Sequence, residues 1–426
     1  MIDIKLIRES PDLVRENTVS RGYDGKIIDE ILKVDEDWRK LKNDDDRLRA
    51  ERNKVSEEIN VAKKAKDEKL AKDIIKKAKL IGDKLSKNQE KENGLEVERK
   101  SLLMQVPNIL KESVPVGKDE NDNKELKKWG TKPKMTKPLS HAVLGEDLDI
   151  LDIKTATKIT GSGFYILKGE GARLQRALIQ FMLDFQYKSG RTEVQTPVLA
   201  NTESAEGTAH LPKFENDMYK TREGLYLIPT AEMTLTNLHR GDNLTEDELP
   251  KRFYGHTLCF RTEAGRHGSE TPGIFRLHQF DKVEMVTLCR PEDDEKEFDL
   301  MMKNAEGILK ALEIPYRVIV LCSGDSGFKE AVTYDIETWS PFLGKYMETS
   351  SVSSIKDFQA RRMNTRYHSK KTNKLEFVYT LNGSGLALPR LLISVLENNQ
   401  LKDGSIKIPK VLQPYMGGLK KIEKKK

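Results

Sequence analysis

Residues 26–81 contain neither glycine nor proline. A run of that length, free of breakers and rich in good helix formers, commits this part of the chain to helix. Apolar residues recur along it in steps of four and three, through Ile27, Ile31, Val34, Trp38, Leu41, Leu48, Val55, Ile59 and Ala62. The intervening steps fall on Asp45 and Arg52, so the seam is imperfect. A second register runs through Ile74, Ala78, Ile81, Leu85, Leu95, Leu102 and Val106, with interruptions at Asn88, Glu92 and Arg99, before Pro107 closes it. Two amphipathic stretches of similar length around a polar segment at 63–68 predict an antiparallel helical hairpin, about residues 27–106.

Charge is uneven along this arm. Residues 29–58 hold 11 acidic and 8 basic side chains, a net of −3, whereas residues 62–79 hold 8 lysines against Asp67, Glu68 and Asp73, a net of +5. The tip of the hairpin is therefore basic. Such a tip can offer lysines to the phosphates of a nucleic acid, or it can simply keep a dimerising coiled coil in solution. The segment by itself leaves both open.

Residues 113–135 lose all periodicity and turn polar, with Pro115, Gly117, Gly130 and Pro133, and are expected to form a linker. The organisation that follows is an N-terminal domain at 1–112, the linker, and a second domain at 136–426. The basic tail at 420–426 is expected to fray.

Whole-chain figures exclude some classes. The net charge of +6 is the small difference between 74 basic and 68 acidic residues, which permits a nucleic-acid partner without requiring one. Cys259, Cys289 and Cys322 lie far apart, with no CxxC pair, and suggest free thiols in a reducing compartment. No stretch approaches the roughly 20 apolar residues of a membrane helix. The opening residues, Met-Ile-Asp-Ile-Lys, have neither signal-peptide nor transit character, so a cytoplasmic location is expected, with no membrane association.

Beyond the linker, strand-like and helical patterns alternate without a βαβ rhythm. A helix is predicted at 171–189, with Leu174, Leu178, Phe181, Met182 and Phe185 on one face. Strands are predicted at 225–229, 253–263, 275–288, 316–322, 334–339 and 375–381. The class is α+β, an antiparallel sheet flanked by helices. In the strand at 275–288, alternation would put Arg276, His278, Phe280, Lys282 and Glu284 on one face. Arg261 and Glu263 would share a face of the strand before it, and the loop between would carry Arg266 and His267. Paired arginines and glutamates of this kind can also be plain cross-strand ion pairs.

Further strings narrow the reading. Phe260-Arg-Thr-Glu263, a loop, and Arg276-x-x-x-Phe280-x-x-x-Glu284 resemble the second signature motif of class II aminoacyl-tRNA synthetases. Gly383-Ser-Gly-Leu-Ala-Leu-Pro-Arg390 is similar to the third motif, and residues 190–197 resemble the weak first one. Thr230-Ala231-Glu232, His278-Gln-Phe-Asp-Lys-Val-Glu284, Glu348-Thr-Ser-Ser351, Asp357-Phe-Gln-Ala-Arg-Arg-Met363, Asn382-Gly-Ser-Gly385 and Pro409-Lys-Val-Leu-Gln-Pro-Tyr-Met-Gly417 resemble seryl-tRNA synthetases in particular. The likeness spans almost the whole chain. Thr349 departs from it, standing where many relatives carry an apolar residue, and residues 266–272 are peculiar to this chain.

The resemblance implies a set of roles. Arg261 and Arg390 would be the catalytic cations, Arg261 on the carboxylate and α-phosphate and Arg390 at the γ-phosphate end. ATP would be held by Arg261, Thr262, Glu263, Arg276, Leu277, Phe280, Glu348, Thr349, Ser350, Ser351 and Arg390, with Phe280 against adenine and Glu263 facing its amino group. L-serine would be recognised by Thr230, Ala231, Glu232, Glu284, Asn382 and Ser384. Glu348 and Ser351 would bind Mg2+ through hard oxygen ligands. One branch of this enzyme type uses zinc to bind serine; without ligand spacing among the cysteines, no zinc is expected here. Lys63, Lys64, Lys66, Lys69 and Lys72 would grip tRNA(Ser), and tRNA(Sec) where the host makes it. The first motif implies a homodimer.

Two rival readings fit parts of the sequence. One is a synthetase-like enzyme that loads a carrier protein, although such relatives lack the arm. The other is a catalytically silent paralogue, although Arg261, Arg276 and Arg390 are all in place.

Overall fold

A computed structural model describes residues 1–264 and 273–424. Arg266 and His267, with the loop expected to carry them, and the last two residues of the tail lie outside the described residues. The chain divides into two compact units, Ile2–Val106 and Pro107–Lys426 together with Met1.

In the first unit, short helices α1 (Ile4–Glu9) and α2 (Pro11–Ser20) precede the long pair α3 (Ile27–Lys64) and α4 (Glu68–Leu103). The expected hairpin is present. Its turn ends at Asp67, which caps α4 by accepting from the backbone N–H of Leu70 at 3.0 Å. Ile28, Ile31, Val34, Val55 and Ala62 are buried on α3, as are Ala71, Ile81 and Leu103 on α4.

The breaks in the seam meet polar partners across it. Asn88 donates to Asp45 at 2.7 Å, Lys42 to Glu92 at 2.6 Å and Arg99 to Asp35 at 2.9 Å. Asp35 also receives Nε and Nη2 of Arg8, at 2.7 and 2.6 Å. Arg99 in turn stacks on Trp38, 4.1 Å from the ring centroid. Of the five breaks, only Arg52 is exposed. Polar pairs at seam positions weaken a coiled coil but fix its register, because a slipped pairing strands each charge against an apolar neighbour.

The second unit is built on one eight-stranded sheet. Its strands are β1 (Lys124–Trp129), β2 (Thr192–Glu193), β3 (Lys251–Phe260), β4 (Gln279–Cys289), β5 (Tyr316–Val320), β6 (Val332–Ser340), β7 (Lys345–Lys356) and β8 (Tyr379–Ala387). The spatial order is β1-β5-β6-β7-β8-β4-β3-β2. Every pairing is antiparallel except that of β2 with β3. Helices α5 (Gly169–Lys188), α6 (Asp294–Ala311) and α7 (Leu388–Asn398) pack on it, and their apolar faces join the sheet in the main core. This is the expected α+β arrangement.

Four details differ from the sequence reading. Asn108 donates to the backbone carbonyls of Lys329 and Ile355, at 2.9 and 2.8 Å, which ties the chain into the second unit from Pro107 onward. Within the segment expected as a linker, β1 is a sheet-edge strand whose residues are all exposed, so it carried no apolar alternation to betray it. The strand expected at 375–381 is two strands: Lys374–Phe377 pairs in a small separate sheet, and β8 enters the main one. Finally, β3 ends at Phe260 and β4 begins at Gln279. Arg261, Glu263, Arg276 and His278 therefore lie beyond the strands, where His278 N–H pairs with Gly163 and Thr262 N–H with Asp217.

Candidate functional site

The register of β3, β4 and β8 assembles a pocket at the centre of the sheet. Ser384 on β8 stands opposite Glu284 on β4, and Gly255 on β3 stands on the other side of Glu284. Gly383 faces α6, where an added Cβ would lie 2.7 Å from Met301 Sδ. Strand alternation then turns its neighbours Asn382 and Ser384 to the opposite face. The glycines of the third motif, Gly383 and Gly385, lie within β8.

Glu284 is wholly buried. Its Oε2 accepts from Lys282 Nζ at 2.5 Å and from Thr230 Oγ1 at 3.2 Å. Among the described residues, its Oε1 has no partner, and neither does the buried Oδ1 of Asn382. Such atoms in a native fold ask for an explanation, and a polar ligand is one. Thr230 Oγ1 also accepts from Glu232 N–H at 3.2 Å, which fixes the turn through Ala231 into the short helix Glu232–Thr236.

Glu232 points into a second buried network. Lys329 Nζ bonds both its oxygens, at 2.5 and 2.6 Å, and Gln359 Nε2 donates to Oε1 at 2.7 Å. Burial by itself would raise this carboxyl, but the charge of Lys329 and the hydrogen bonds from Lys329 and Gln359 act together to hold it below the ordinary value. His210 lies in the same neighbourhood, pushed down to about 3 by burial and then by the charge of Lys329, so it is neutral at working pH. Lys282, Lys329, Gln359 and His210 were given no role from the sequence. Lys282 carried a signal in its place between Phe280 and Glu284, and Gln359 in the string Asp357–Met363; Lys329 had none, because a buried lysine otherwise reads like a surface one.

Arg261 adjoins this pocket. Its guanidinium lies 5.2 Å from the centroid of the Phe280 ring and donates through Nε to Pro229 O at 3.4 Å. Its backbone is gripped from both ends by His278, whose carbonyl takes Arg261 N–H and whose Nδ1 lies 2.9 Å from Arg261 O. Glu263 adopts a left-handed backbone, φ +50°, and its carboxylate lies 3.4 Å from Arg276. The Thr262 hydroxyl is spent on Asn216 O at 2.6 Å, and Leu277 is in the core.

A third cluster spans β6, β7 and the first turn of α7. Arg390 lies 3.0 Å from the Glu348 carboxylate and also donates to Glu348 O at 3.0 Å. The charge of Arg390 holds the Glu348 carboxyl below its ordinary value. Asp335 on β6 pairs in register with Ser351 on β7. Burial, and then the charge of Glu348, push the Asp335 carboxyl well up, and its Oδ1 has no partner among the described residues. The Ser351 hydroxyl is 3.4 Å from Glu348 Oε1. Asp335 was missed because one acid in a strand has no local signature.

Thr349 and Ser350 turn away from this cluster. Thr349 Oγ1 lies 2.6 Å from Thr338 Oγ1, which lies 2.7 Å from Ser394 Oγ. That hydroxyl chain explains how a polar residue occupies an apolar position. Ser350 donates to Ser384 O at 2.7 Å and so braces the strand that carries the pocket.

In the first unit, Lys63, Lys64, Lys66, Lys69 and Lys72 are all exposed around the turn of the hairpin. Among the described residues, no group of three or more His, Cys, Asp and Glu side chains could hold a metal ion by themselves.

Two family models match the chain: "Seryl-tRNA synthetase N-terminal domain" over residues 1–110, and "tRNA synthetase class II core domain (G, H, P, S and T)" over 213–399. A serine--tRNA ligase of Thermodesulfovibrio yellowstonii is 46% identical over 420 residues, spanning 98% of this chain and 99% of the relative. That of Macrococcus caseolyticus is also 46% identical over 420 residues, with the same coverage. The solved seryl-tRNA synthetase from Pyrococcus horikoshii, complexed with ATP, superimposes with a TM-score of 0.95 at 39% identity, covering 100% of both chains.

Proposed function

The chain belongs to the seryl-tRNA synthetase family and is a serine--tRNA ligase, and from the geometry of the second unit we propose how it performs that reaction. One observation carries the reading: the buried carboxylate of Glu284, one oxygen of which has no partner among the described residues, sits among Thr230, Ser384 and Asn382, with Arg261 in the same neighbourhood. Serine needs acceptors for its ammonium and hydroxyl and a cation for its carboxylate. A pocket built to bond a hydroxyl rejects alanine, because alanine leaves those buried groups unmet.

In the first step an oxygen of the serine carboxylate attacks the α-phosphorus of ATP. The bond to the bridging oxygen breaks, giving seryl-adenylate and pyrophosphate. Two anions have to approach each other, so fixed cations do most of the work. Arg261 would hold the carboxylate against the α-phosphate, Arg276 would support the phosphates, and Arg390 would take the γ-phosphate end. Phe280, already beneath a guanidinium, offers its ring to adenine, and Glu263 an acceptor for the adenine amino group. In the second step a ribose hydroxyl at the 3′ end of tRNA attacks the acyl carbon and AMP leaves.

The cluster of Asp335, Glu348 and Ser351 suits Mg2+. Its donors are all hard oxygens, and the two carboxylates repel each other across one partnerless oxygen. Mg2+ bound there would neutralise phosphate charge. Three separate buried thiols offer zinc nothing comparable.

The exposed lysines of the hairpin tip support binding of tRNA(Ser), and of tRNA(Sec) where present, through phosphates. We further propose an isologous homodimer and a cytoplasmic location; no helix among the described residues is long and apolar enough to cross a membrane.

ATP–pyrophosphate exchange tests the pocket. Serine should outrun alanine by about ten-thousandfold, and Glu284→Ala should leave the two comparably poor. A chain that activates threonine or proline best would overturn the assignment.

A further inference from the structure

Lys282 has no part in the reaction as derived above, yet its ammonium sits inside the pocket. The side chain is 11% exposed and reaches Glu284 Oε2 at 2.5 Å and Thr230 Oγ1 at 3.3 Å. An ammonium is kept in such a place only where it is paired. Around the pair stand Cys259 on β3, Arg261 just beyond it, His210, the Glu232–Lys329 pair, and Glu348 from β7. Each pocket glutamate thus has a buried lysine of its own: Lys329 for Glu232 and Lys282 for Glu284. Serine brings its own ammonium to carboxylates that are already compensated. What Glu284 still offers is a hydrogen-bond acceptor, Oε1, which has no partner among the described residues, on a residue that faces Ser384 in register.

We propose that Lys282 is a positioning residue for amino-acid selection, which holds Glu284 by Oε2 and so presents Oε1 as the acceptor for the substrate's side-chain hydroxyl. This rests on the reading of the pocket as the serine site. A carboxylate fixed at one oxygen cannot swing round to chelate an α-ammonium with both. It therefore rewards the hydroxyl, which alanine lacks, over the ammonium, which every amino acid carries. Without Lys282 the carboxylate is free to turn to the common group, and selectivity falls.

The test is a double-mutant cycle in the full chain, Lys282→Met, Glu284→Gln and both together, read by pyrophosphate exchange with serine and with alanine. Lys282→Met should lower kcat/KM for serine by roughly tenfold to a hundredfold, mainly through KM. The serine-over-alanine ratio should fall by a similar factor, with the KM for ATP unchanged. The double variant should be no worse than Glu284→Gln alone, since both changes remove one device. Lys282→Gln, which keeps a neutral donor in place, should give an intermediate ratio, and it carries the test if Lys282→Met does not fold by circular dichroism. Losses that multiply in the double variant, or a serine-over-alanine ratio unmoved by either Lys282 change, would overturn the proposal. If Glu284→Gln itself leaves serine activation intact, the reading of the pocket fails first.

Discussion

Removing the Asp35 carboxylate should unfasten the helical arm while leaving the chemistry of the second unit alone. Asp35 is 2% exposed and accepts three charge-assisted bonds, two from Arg8 and one from Arg99. Breaking a buried ion pair by deleting one partner costs about 3–5 kcal/mol, because the other charge is stranded. Arg8 and Arg99 keep 29% and 17% of their side-chain surface, so water recovers part of that. We expect Asp35→Ala to cost the arm about 2–4 kcal/mol, after discounting the upper figure for this exposure. The assay is denaturant unfolding followed at Trp38, with Trp129 and Trp339 changed to Phe so that Trp38 reports alone. Replacing the whole set, as Arg8→Met, Asp35→Leu and Arg99→Met together, should restore stability, since a matched apolar trio avoids the desolvation of three charges. A midpoint that hardly moves in Asp35→Ala would refute the reasoning. So would a triple variant as weak as the single one.

Four other outcomes are expected. Burial would raise the Asp35 carboxyl, but Arg8 and Arg99 outweigh it and hold it below the ordinary value; its contribution is therefore complete above the unfolded value of about 3.9 and lost as the pH falls below it. The acid limb of the Trp38 transition should shrink in Asp35→Ala. Asp335→Asn should raise the Mg2+ concentration needed for half-maximal exchange several-fold, with the KM for serine unchanged; an unchanged Mg2+ titration counts against that cluster. Deleting residues 30–104 should spare serine-dependent exchange and abolish tRNA charging, and alanines at the five tip lysines should raise the KM for tRNA and flatten its salt dependence. Charging by the armless chain at the full rate would reduce the arm to a structural element.

The hairpin was legible because helix periodicity repeats over ten turns, and the residues that break it were legible as breaks. Their partners were not: the pairing of Asp45 with Asn88, or Asp35 with Arg99, depends on how two helices align. In the second unit, apolar segments of α5, β4 and β6 announced themselves, whereas β1 is exposed at every position and reads as a loop. The site divides in the same way. Motif residues such as Arg261, Glu284 and Arg390 were found by likeness to a family, and their neighbourhood follows from strand register. Lys329 was invisible, because its only distinction is a carboxylate 97 positions away in the chain, and Gln359, although it lies in a family-like string, gave no sign of the same distant carboxylate as its partner.

The length of the hairpin has a consequence for how the molecule meets a polyanion. A helix of 38 residues such as α3 extends about 57 Å, several times the screening length of about 8 Å at physiological salt. The lysine-rich end, at +5, is therefore insulated from the stem. There residues 29–58 sum to −3, and residues 83–100, with five acids and five bases, to zero. The modest charge of the whole chain conceals a rod with a positive head and a negative stem. In the field of a nucleic acid such a rod feels a torque as well as a pull, and it turns head-first before any contact is made.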